Sequence, residues 1–211
     1  MKAPVYILMV LIFISAGCSS IQKTHSWQPE TVHLRNYQKV LVVCFLREED
    51  NSIRENIENQ LTDELTKKGI NAVTSLQLLG SKIFDRMDEE DALYQLNNQC
   101  VDAVLTVTLL NRQKEKKYTP GTIHYTPYGY SYDRFWRYKT AINHRITTPG
   151  YYNNEKDTFP ECNIYDMATQ QLIYSIQSGP AFNWAFEAEG NKPFRKIANE
   201  IIKKKILVGL P

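Results

Sequence analysis

Histidines, acidic clusters and serines are the side chains that could carry chemistry in this 211-residue chain. The four histidines, His25, His33, His124 and His144, are neither spaced four residues apart nor next to a cysteine, as zinc ligands often are. The acidic run at residues 88–91 suggests a cation site, but the first turn of a helix explains it equally through the helix dipole. No serine lies in a Gly-x-Ser-x-Gly setting, and no glycine-rich phosphate loop follows the first apolar stretch. The sequence therefore predicts a protein that is not an enzyme and holds neither a metal nor a cofactor.

Tyrosine is the other side chain that could act at a site, because eight of the thirteen tyrosines lie within residues 118–152. Tyr128, Tyr130 and Tyr132 alternate with small or polar residues, so an extended chain would place their three rings on one face. We predict that these tyrosines, together with Trp136, bind a partner, since tyrosine supplies contact area at a low entropic cost. Two alternatives remain open: an insertion whose rings lie back on the sheet, and a membrane-inserting strand of an oligomeric pore, which three prolines would interrupt.

Cys18 has the most specific sequence surroundings. Lys2 precedes an apolar run at residues 5–14. A membrane-spanning helix needs about 20 apolar residues, so this run is too short to span a bilayer, but its length is typical of a signal peptide. Small residues follow it and lead directly to Cys18. This order resembles the lipobox of bacterial lipoproteins, although Ser15 stands where that pattern prefers leucine. The resemblance implies cleavage after residue 17 and a lipid on the Cys18 thiol; an ordinary secretory peptide with an incidental cysteine is the alternative.

The predicted location and the net charge of the chain restrict the kinds of partner that are expected. Ser19 after the cysteine resembles the outer-membrane sorting pattern, which implies a lipid-anchored domain facing the periplasm. Net charge is +2 and falls to +1 when Lys2 is removed with residues 1–17, so a nucleic-acid partner is not expected. Three further cysteines, Cys44, Cys100 and Cys162, are predicted to be buried and unpaired, while a disulfide between two of them stays open.

Strands and helices alternate in the first half of the chain. Residues 18–38 are predicted to form a flexible tether, which would span about 65 Å when fully stretched, and residues 39–211 a single domain. Residues 39–46 are apolar on both faces, as in a central strand. A capping box at residues 52–55 predicts a helix that ends before Gly69. Its inward residues would be Ile53, Ile57, Leu61 and Leu65. A strand at 70–74, a helix at 88–99 and a strand at 103–110 complete this half.

The second half has a different pattern. A tyrosine-rich insertion is predicted at about residues 112–158, and His144 is expected in a strand within it. Residues 162–166 and 172–177 predict an antiparallel hairpin, and residues 193–207 predict a closing helix. The fold class is therefore α+β: a mixed sheet with a strand-helix-strand-helix-strand half, a C-terminal hairpin and a C-terminal helix.

Residues 163–175 resemble a pattern in a family of small bacterial lipoproteins of unknown function. In that family a strand ends in Tyr-Asp, as at Tyr165 and Asp166 here, turns, and returns as Leu-Ile-Trp-Ser; Tyr174 takes the place of the tryptophan. Residues 37–42 and 102–105 resemble the family's other strands. The strand-helix order is also similar to the TolB N-terminal domain, to the lipoprotein that activates penicillin-binding proteins and to the core of the curli-secretion lipoprotein. These resemblances imply a fold and a location, and no chemistry.

The sequence thus predicts a membrane-anchored envelope lipoprotein that acts as a non-enzymatic binding or assembly accessory. Its partners would be the membrane, through the lipid anchor, and an envelope protein or glycan. The main alternative is a subunit of an oligomeric outer-membrane secretion pore, and an exported hydrolase comes third.

Overall fold

The computed structural model describes residues 25–29, 36–46, 51–80, 87–111, 134–147, 158–177 and 192–208. The strands in these ranges are β1 His25–Trp27, β2 Val40–Phe45, β3 Ala72–Thr74, β4 Ala103–Asn111, β5 Thr158–Asp166 and β6 Leu172–Gln177. The helices are α1 Asn51–Thr66, α2 Ser75–Leu79, α3 Glu89–Asn98, α4 Phe135–Ile146 and α5 Lys192–Lys203. This content confirms the predicted α+β class.

The six strands form one mixed sheet in the order β1-β6-β5-β4-β2-β3. The β3-β2 and β2-β4 pairs are parallel, because α1 links the first pair and the segment containing α2 and α3 leads on to β4. The remaining pairs are antiparallel, and β5 and β6 form the predicted hairpin. Strand β2 is central and wholly buried, as its two-sided apolar sequence predicted.

Helices cover the two faces of the sheet. Apolar residues of α1 and α5 join one face of β2, β4, β5 and β6 in a common core cluster. Residues of α3 and α4 join the other face in a second cluster. Burying apolar area against both faces supplies the main favourable free energy of such a fold, at about 25 cal/mol per Å².

Helix α1 confirms most of the predicted inward face, with one exception. Ile57, Leu61 and Leu65 are fully buried, but Ile53 is 37% exposed. The buried residues of α1 begin in its second turn, at Ile57, so the first turn is not part of the buried face. The predicted capping box is also wrong, because α1 begins at Asn51 and Ser52 lies inside it. Gly69 ends the helix as predicted, with a positive φ of 82° that glycine adopts without a Cβ clash.

The acidic run at residues 88–91 is the start of α3. Asp88 is the N-cap, and its side chain accepts a hydrogen bond from the Asp91 backbone N–H at 2.8 Å. Three acidic residues occupy the first turn, where the helix dipole favours negative charge. The helical interpretation of this run is therefore confirmed.

Three elements differ from the predictions. Residues 25–27 of the predicted tether form β1 and pair with β6. Residues 135–146 of the predicted insertion form α4, so His144 lies in a helix rather than a strand. Helix α2 was not predicted, although Thr74 and Gln77 form its capping box.

The two ends of the sheet differ in the residues they carry. The hairpin end carries the turn at residues 167–170 and the starts of β2 and β4. The Glu161 end is the opposite one, where Phe45, Thr108, Glu161 and Gln177 lie side by side across four strands. Among the described residues, none of the helices combines the length and the apolar character needed to cross a membrane.

Candidate functional site

A patch of polar side chains lies inside the protein, on the sheet face that α4 covers. Strand periodicity places alternate residues of β4, β5 and β6 on this face, and cross-strand neighbours share it. Near the Glu161 end those positions are polar on all three strands, yet every one of them is buried. The patch consists of Thr106, Thr108, Glu161, Asn163, Ser175 and Gln177.

Glu161 is the centre of this buried polar cluster and is only 1% exposed. Gln177 donates from Nε2 to one carboxylate oxygen, Oε2. Asn163 donates from Nδ2 to the other, Oε1, at 3.0 Å. The carboxylate is therefore bound by side chains of its own strand and of β6, as a buried charge requires.

Helix α4 supplies the rest of the contacts of Glu161. The Tyr138 hydroxyl lies 3.1 Å from Glu161 Oε1 and 2.8 Å from Thr108 Oγ1, so it links the helix to β5 and β4. Arg145, in the last turn of the helix, is 4% exposed and attracts the Glu161 carboxylate electrostatically. The cluster thus joins three strands to the helix above them.

Burial dominates the electrostatics of Glu161. Desolvation raises the pKa of its carboxyl group above the ordinary 4.5. Hydrogen bonds from Gln177 and Asn163, then the charge of Arg145 and the bond to Tyr138, act in the opposite direction and only partly offset it. Such a group can hold or release a proton at a higher pH than a surface glutamate, and raised carboxyl pKa values occur both at active sites and in structural networks.

Among the six strand residues of the patch, two polar atoms have no hydrogen-bond partner within the described part of the chain. These are Asn163 Oδ1 and Ser175 Oγ, which belong to directly opposed residues of β5 and β6 and are fully buried. Neighbouring buried acceptors and hydroxyls of this kind are the usual setting of an ordered internal water. The cluster therefore keeps one amide oxygen and one hydroxyl available for further hydrogen bonds inside the fold.

An aromatic group separates the cluster from the hairpin end. The ring centroids of Phe135 and Tyr165 lie 5.5 Å apart, and those of Tyr138 and Tyr165 lie 5.8 Å apart. At the start of α4 the Phe135 backbone N–H donates to the Gln170 carbonyl at 3.0 Å, which fixes the helix on the hairpin turn. The helix therefore runs from the hairpin end towards Glu161.

A second buried acid lies on the opposite face of the sheet. Glu58 of α1 is 2% exposed, and Oε1 accepts a hydrogen bond from the Cys44 backbone N–H at 2.9 Å. Its Oε2 accepts from the Ser75 backbone N–H at 2.9 Å, and the Ser75 hydroxyl also contacts both oxygens. Because β3 ends at Thr74, opposite Val42, the Glu58 carboxylate takes the place of a strand partner for Cys44. Burial raises the pKa of Glu58 as well.

Trp136 is the only predicted partner-binding residue within the described part of the chain. It lies in the first turn of α4, half-buried, with its ring edge-on to Phe135 at a centroid distance of 5.9 Å. The ammonium group of Lys139 lies 4.0 Å from the centre of the Trp136 ring and donates to the Met87 carbonyl at 2.8 Å. Tyr128, Tyr130, Tyr132 and Cys18 lie outside the described residues, so their roles remain predictions.

The cysteines agree with the prediction at two of three positions. Within the described residues, none of Cys44, Cys100 and Cys162 forms a disulfide; Cys44 and Cys162 are buried, but Cys100 is exposed. Cys100 has a positive φ of 55° just after α3, where the chain turns at the surface, so this residue has no core contact to make. In the ranges that the structure describes, no three His, Cys, Asp or Glu side chains are grouped to hold a metal.

The Tyr-Asp pair that resembles the lipoprotein family has a structural role. Tyr165 is part of the aromatic group, whereas Asp166 accepts hydrogen bonds from the Thr169 backbone N–H at 2.9 Å and from the Tyr37 hydroxyl at 3.2 Å. Asp166 therefore closes the hairpin turn and fastens to it the segment that leads into β2. Tyr174 packs on the other face, where burial raises its pKa to about 12.

Comparisons with known proteins give only distant structural matches. No family model and no curated protein matches this chain. A PelC dodecamer from Paraburkholderia phytofirmans aligns at 9% identity over 90% of this chain and 100% of that one, with a TM-score of 0.37. A variant PelC dodecamer from the same organism gives 8% identity, 90% and 100% coverage and a TM-score of 0.42. A DUF4136 family protein from Bacteroides thetaiotaomicron gives 7% identity, 88% and 97% coverage and a TM-score of 0.43. The resemblances to TolB, to the activator lipoprotein and to the curli-secretion lipoprotein stay predictions.

Proposed function

We propose that this chain is a membrane-anchored envelope lipoprotein and that its domain is a non-enzymatic binding or assembly accessory. The signal-peptide pattern and Cys18 supply the anchor. A single lipid chain holds a protein only marginally, whereas two or three acyl chains, as on lipoproteins, hold it stably.

The observation that supports an accessory role is that both buried acids form hydrogen bonds within the fold. Glu58 and Glu161 are at most 2% exposed, and each is bound by donors from neighbouring elements of the fold. A catalytic carboxyl group needs access to a substrate, and its hydrogen bonds converge on a cleft. Here the bonds join strands to helices instead. These acids therefore support the fold, and recognition is assigned to the surface.

The partner is proposed to be an envelope protein or glycan. Aromatic side chains that keep some exposed area are common anchors in such contacts. Trp136 has this character within the described residues, and Tyr128, Tyr130 and Tyr132 are the other proposed contact residues.

Photocrosslinking in living cells tests this proposal. A photoreactive amino acid replaces Tyr130, and the matched control carries the same amino acid at Tyr94, a tyrosine of α3 that is 63% exposed. We expect a specific envelope molecule to be captured from position 130 and not from position 94. Equal capture at both positions, or none at either, would argue against a recognition role for the tyrosine-rich segment.

The size of the purified protein in detergent distinguishes this proposal from the main alternative, a pore subunit. A binding accessory is expected to migrate as a monomer or with its captured partner. A discrete ring of many copies would instead support a pore subunit.

A further inference from the structure

The position of β1 determines where the anchored end of the chain joins the domain. His25 lies opposite Gln177, Ser26 opposite Ile176 and Trp27 opposite Ser175. These three residues add a strand to the β6 edge of the sheet. The chain therefore joins the sheet at residue 25, whereas the tether predicted from the sequence extends to residue 38.

The register shows at which end of the sheet this attachment lies. Gln177 is opposite Glu161, which is opposite Thr108, which is opposite Phe45. His25 therefore belongs to the row of residues that defines the Glu161 end. Strand β1 runs antiparallel to β6 and begins at His25, opposite the last residue of β6, so the N-terminal residue of β1 is at that end.

The number of residues between Cys18 and His25 limits the reach of the anchor. Seven peptide steps at 3.3–3.6 Å each span at most about 25 Å, compared with about 65 Å for the tether predicted from the sequence. Five residue steps of β4 separate the Ala103 row at the hairpin end from the Thr108 row at the Glu161 end, a distance of about 17 Å. Cys18 therefore lies within about 25 Å of His25, a residue of the Glu161 row.

We propose that the Glu161 end of the sheet faces the lipid bilayer and that the hairpin end points away from it. This inference rests on the proposed lipid anchor at Cys18. The partner of the Glu161 end is the headgroup surface of the membrane, and β1 is the element that fixes this orientation.

Energy transfer from the two ends of the domain to the bilayer tests the orientation. The chain from Cys18 onward, with Cys100→Ser, is coupled through its Cys18 thiol to maleimide lipid in nanodiscs whose headgroups carry an acceptor dye. An azide-bearing amino acid labelled with a donor dye replaces Ser52, which is exposed near the start of α1 at the Glu161 end, or Ala168, which is exposed in the hairpin turn. We expect stronger transfer from position 52, because the hairpin-end row at Ala103 lies ~17 Å along the strands from the Glu161 row.

Equal transfer from both positions, or stronger transfer from position 168, would overturn the proposal, since the domain would then lie on its side or be inverted. A second variant tests the role of β1: Ser26→Pro breaks the strand and is expected to reduce the difference between the two positions. Gln28→Pro, just beyond β1, is the matched control and should preserve the difference. The chemical coupling does not depend on lipidation in cells, so failure of the lipid anchor and failure of the orientation give separate results.

Discussion

At the scale of single residues, Glu161 shows how a polar group is accommodated in the interior. A buried, unpaired carboxylate would cost several kcal/mol, but Gln177, Asn163 and Tyr138 donate to this one and Arg145 lies near it. Networks of this kind hold their members in one arrangement rather than add large net stability. Glu161 therefore fixes the position of α4 over the sheet.

The raised pKa of Glu161 predicts a pH dependence of stability. Above pH 4.5, the Glu161 carboxyl group stays protonated to a higher pH in the folded state than in the unfolded state. The free energy of unfolding therefore falls as pH rises through the raised pKa. We expect Glu161→Gln to remove this contribution, which amounts to at most about 1.4 kcal/mol per pH unit. Urea unfolding between about pH 5 and pH 8 measures it.

Glu55→Gln is the control for this prediction, because Glu55 is an exposed glutamate of α1. Its unfolding free energy should follow the wild-type pH dependence. Parallel curves for the wild type and Glu161→Gln would mean that the ionised form of Glu161 is not penalised in the folded state.

At the scale of secondary-structure elements, long periodic segments could be predicted from the sequence. The two-sided apolar run of β2 and the leucine spacing of α1 define burial over several turns or alternations, so local pattern and tertiary packing agree. Strand β1 could not be predicted, because three residues carry too little pattern and pair only through the distant β6. Helix α4 was obscured by its tyrosine-rich surroundings, although Phe135, Tyr138 and Ile142 have helical spacing.

The inward face of α1 gives a prediction at the same scale. Leu61 is fully buried, so Leu61→Ala should lower the free energy of unfolding by about 2–5 kcal/mol through lost burial and the cavity left behind. Ile53→Ala is the matched control, because Ile53 is 37% exposed in the first turn, and it should cost less than about 1 kcal/mol. Chemical denaturation of both variants checks the difference. Similar losses would contradict the assigned helix face.

At the scale of the whole molecule, the buried polar cluster could not be located from the sequence. Its members come from β4, α4, β5 and β6, so they are far apart along the chain and meet only after the sheet has formed. One signal was present: the pairs Thr106 and Thr108, Glu161 and Asn163, and Ser175 and Gln177 each enclose a single apolar residue. Such alternation indicates a shared polar face, but it does not identify the partners of each strand.

The anchor itself gives a prediction for the whole molecule. Cys18→Ala removes the thiol that would carry the lipid, so the domain should be released from membranes or its processing should stall. Labelling with a palmitate analogue and membrane fractionation measure this outcome. Cys100→Ser is the control, since that exposed cysteine is expected to have no part in anchoring. Labelling that persists in Cys18→Ala would end the lipoprotein proposal.

The last prediction separates recognition from folding. Aromatic rings packed in a core cost about 3–5 kcal/mol each when truncated, whereas rings reserved for a partner cost little stability and much affinity. We expect Tyr128→Ala, Tyr130→Ala and Tyr132→Ala together to leave the melting temperature nearly unchanged and to reduce capture of the envelope partner. Tyr138→Ala is the contrasting control: Tyr138 is fully buried and its hydroxyl bonds to Thr108 and Glu161, so this variant should melt at a much lower temperature. If the triple variant melts as Tyr138→Ala does, its three rings belong to the core, and recognition must be sought on another surface.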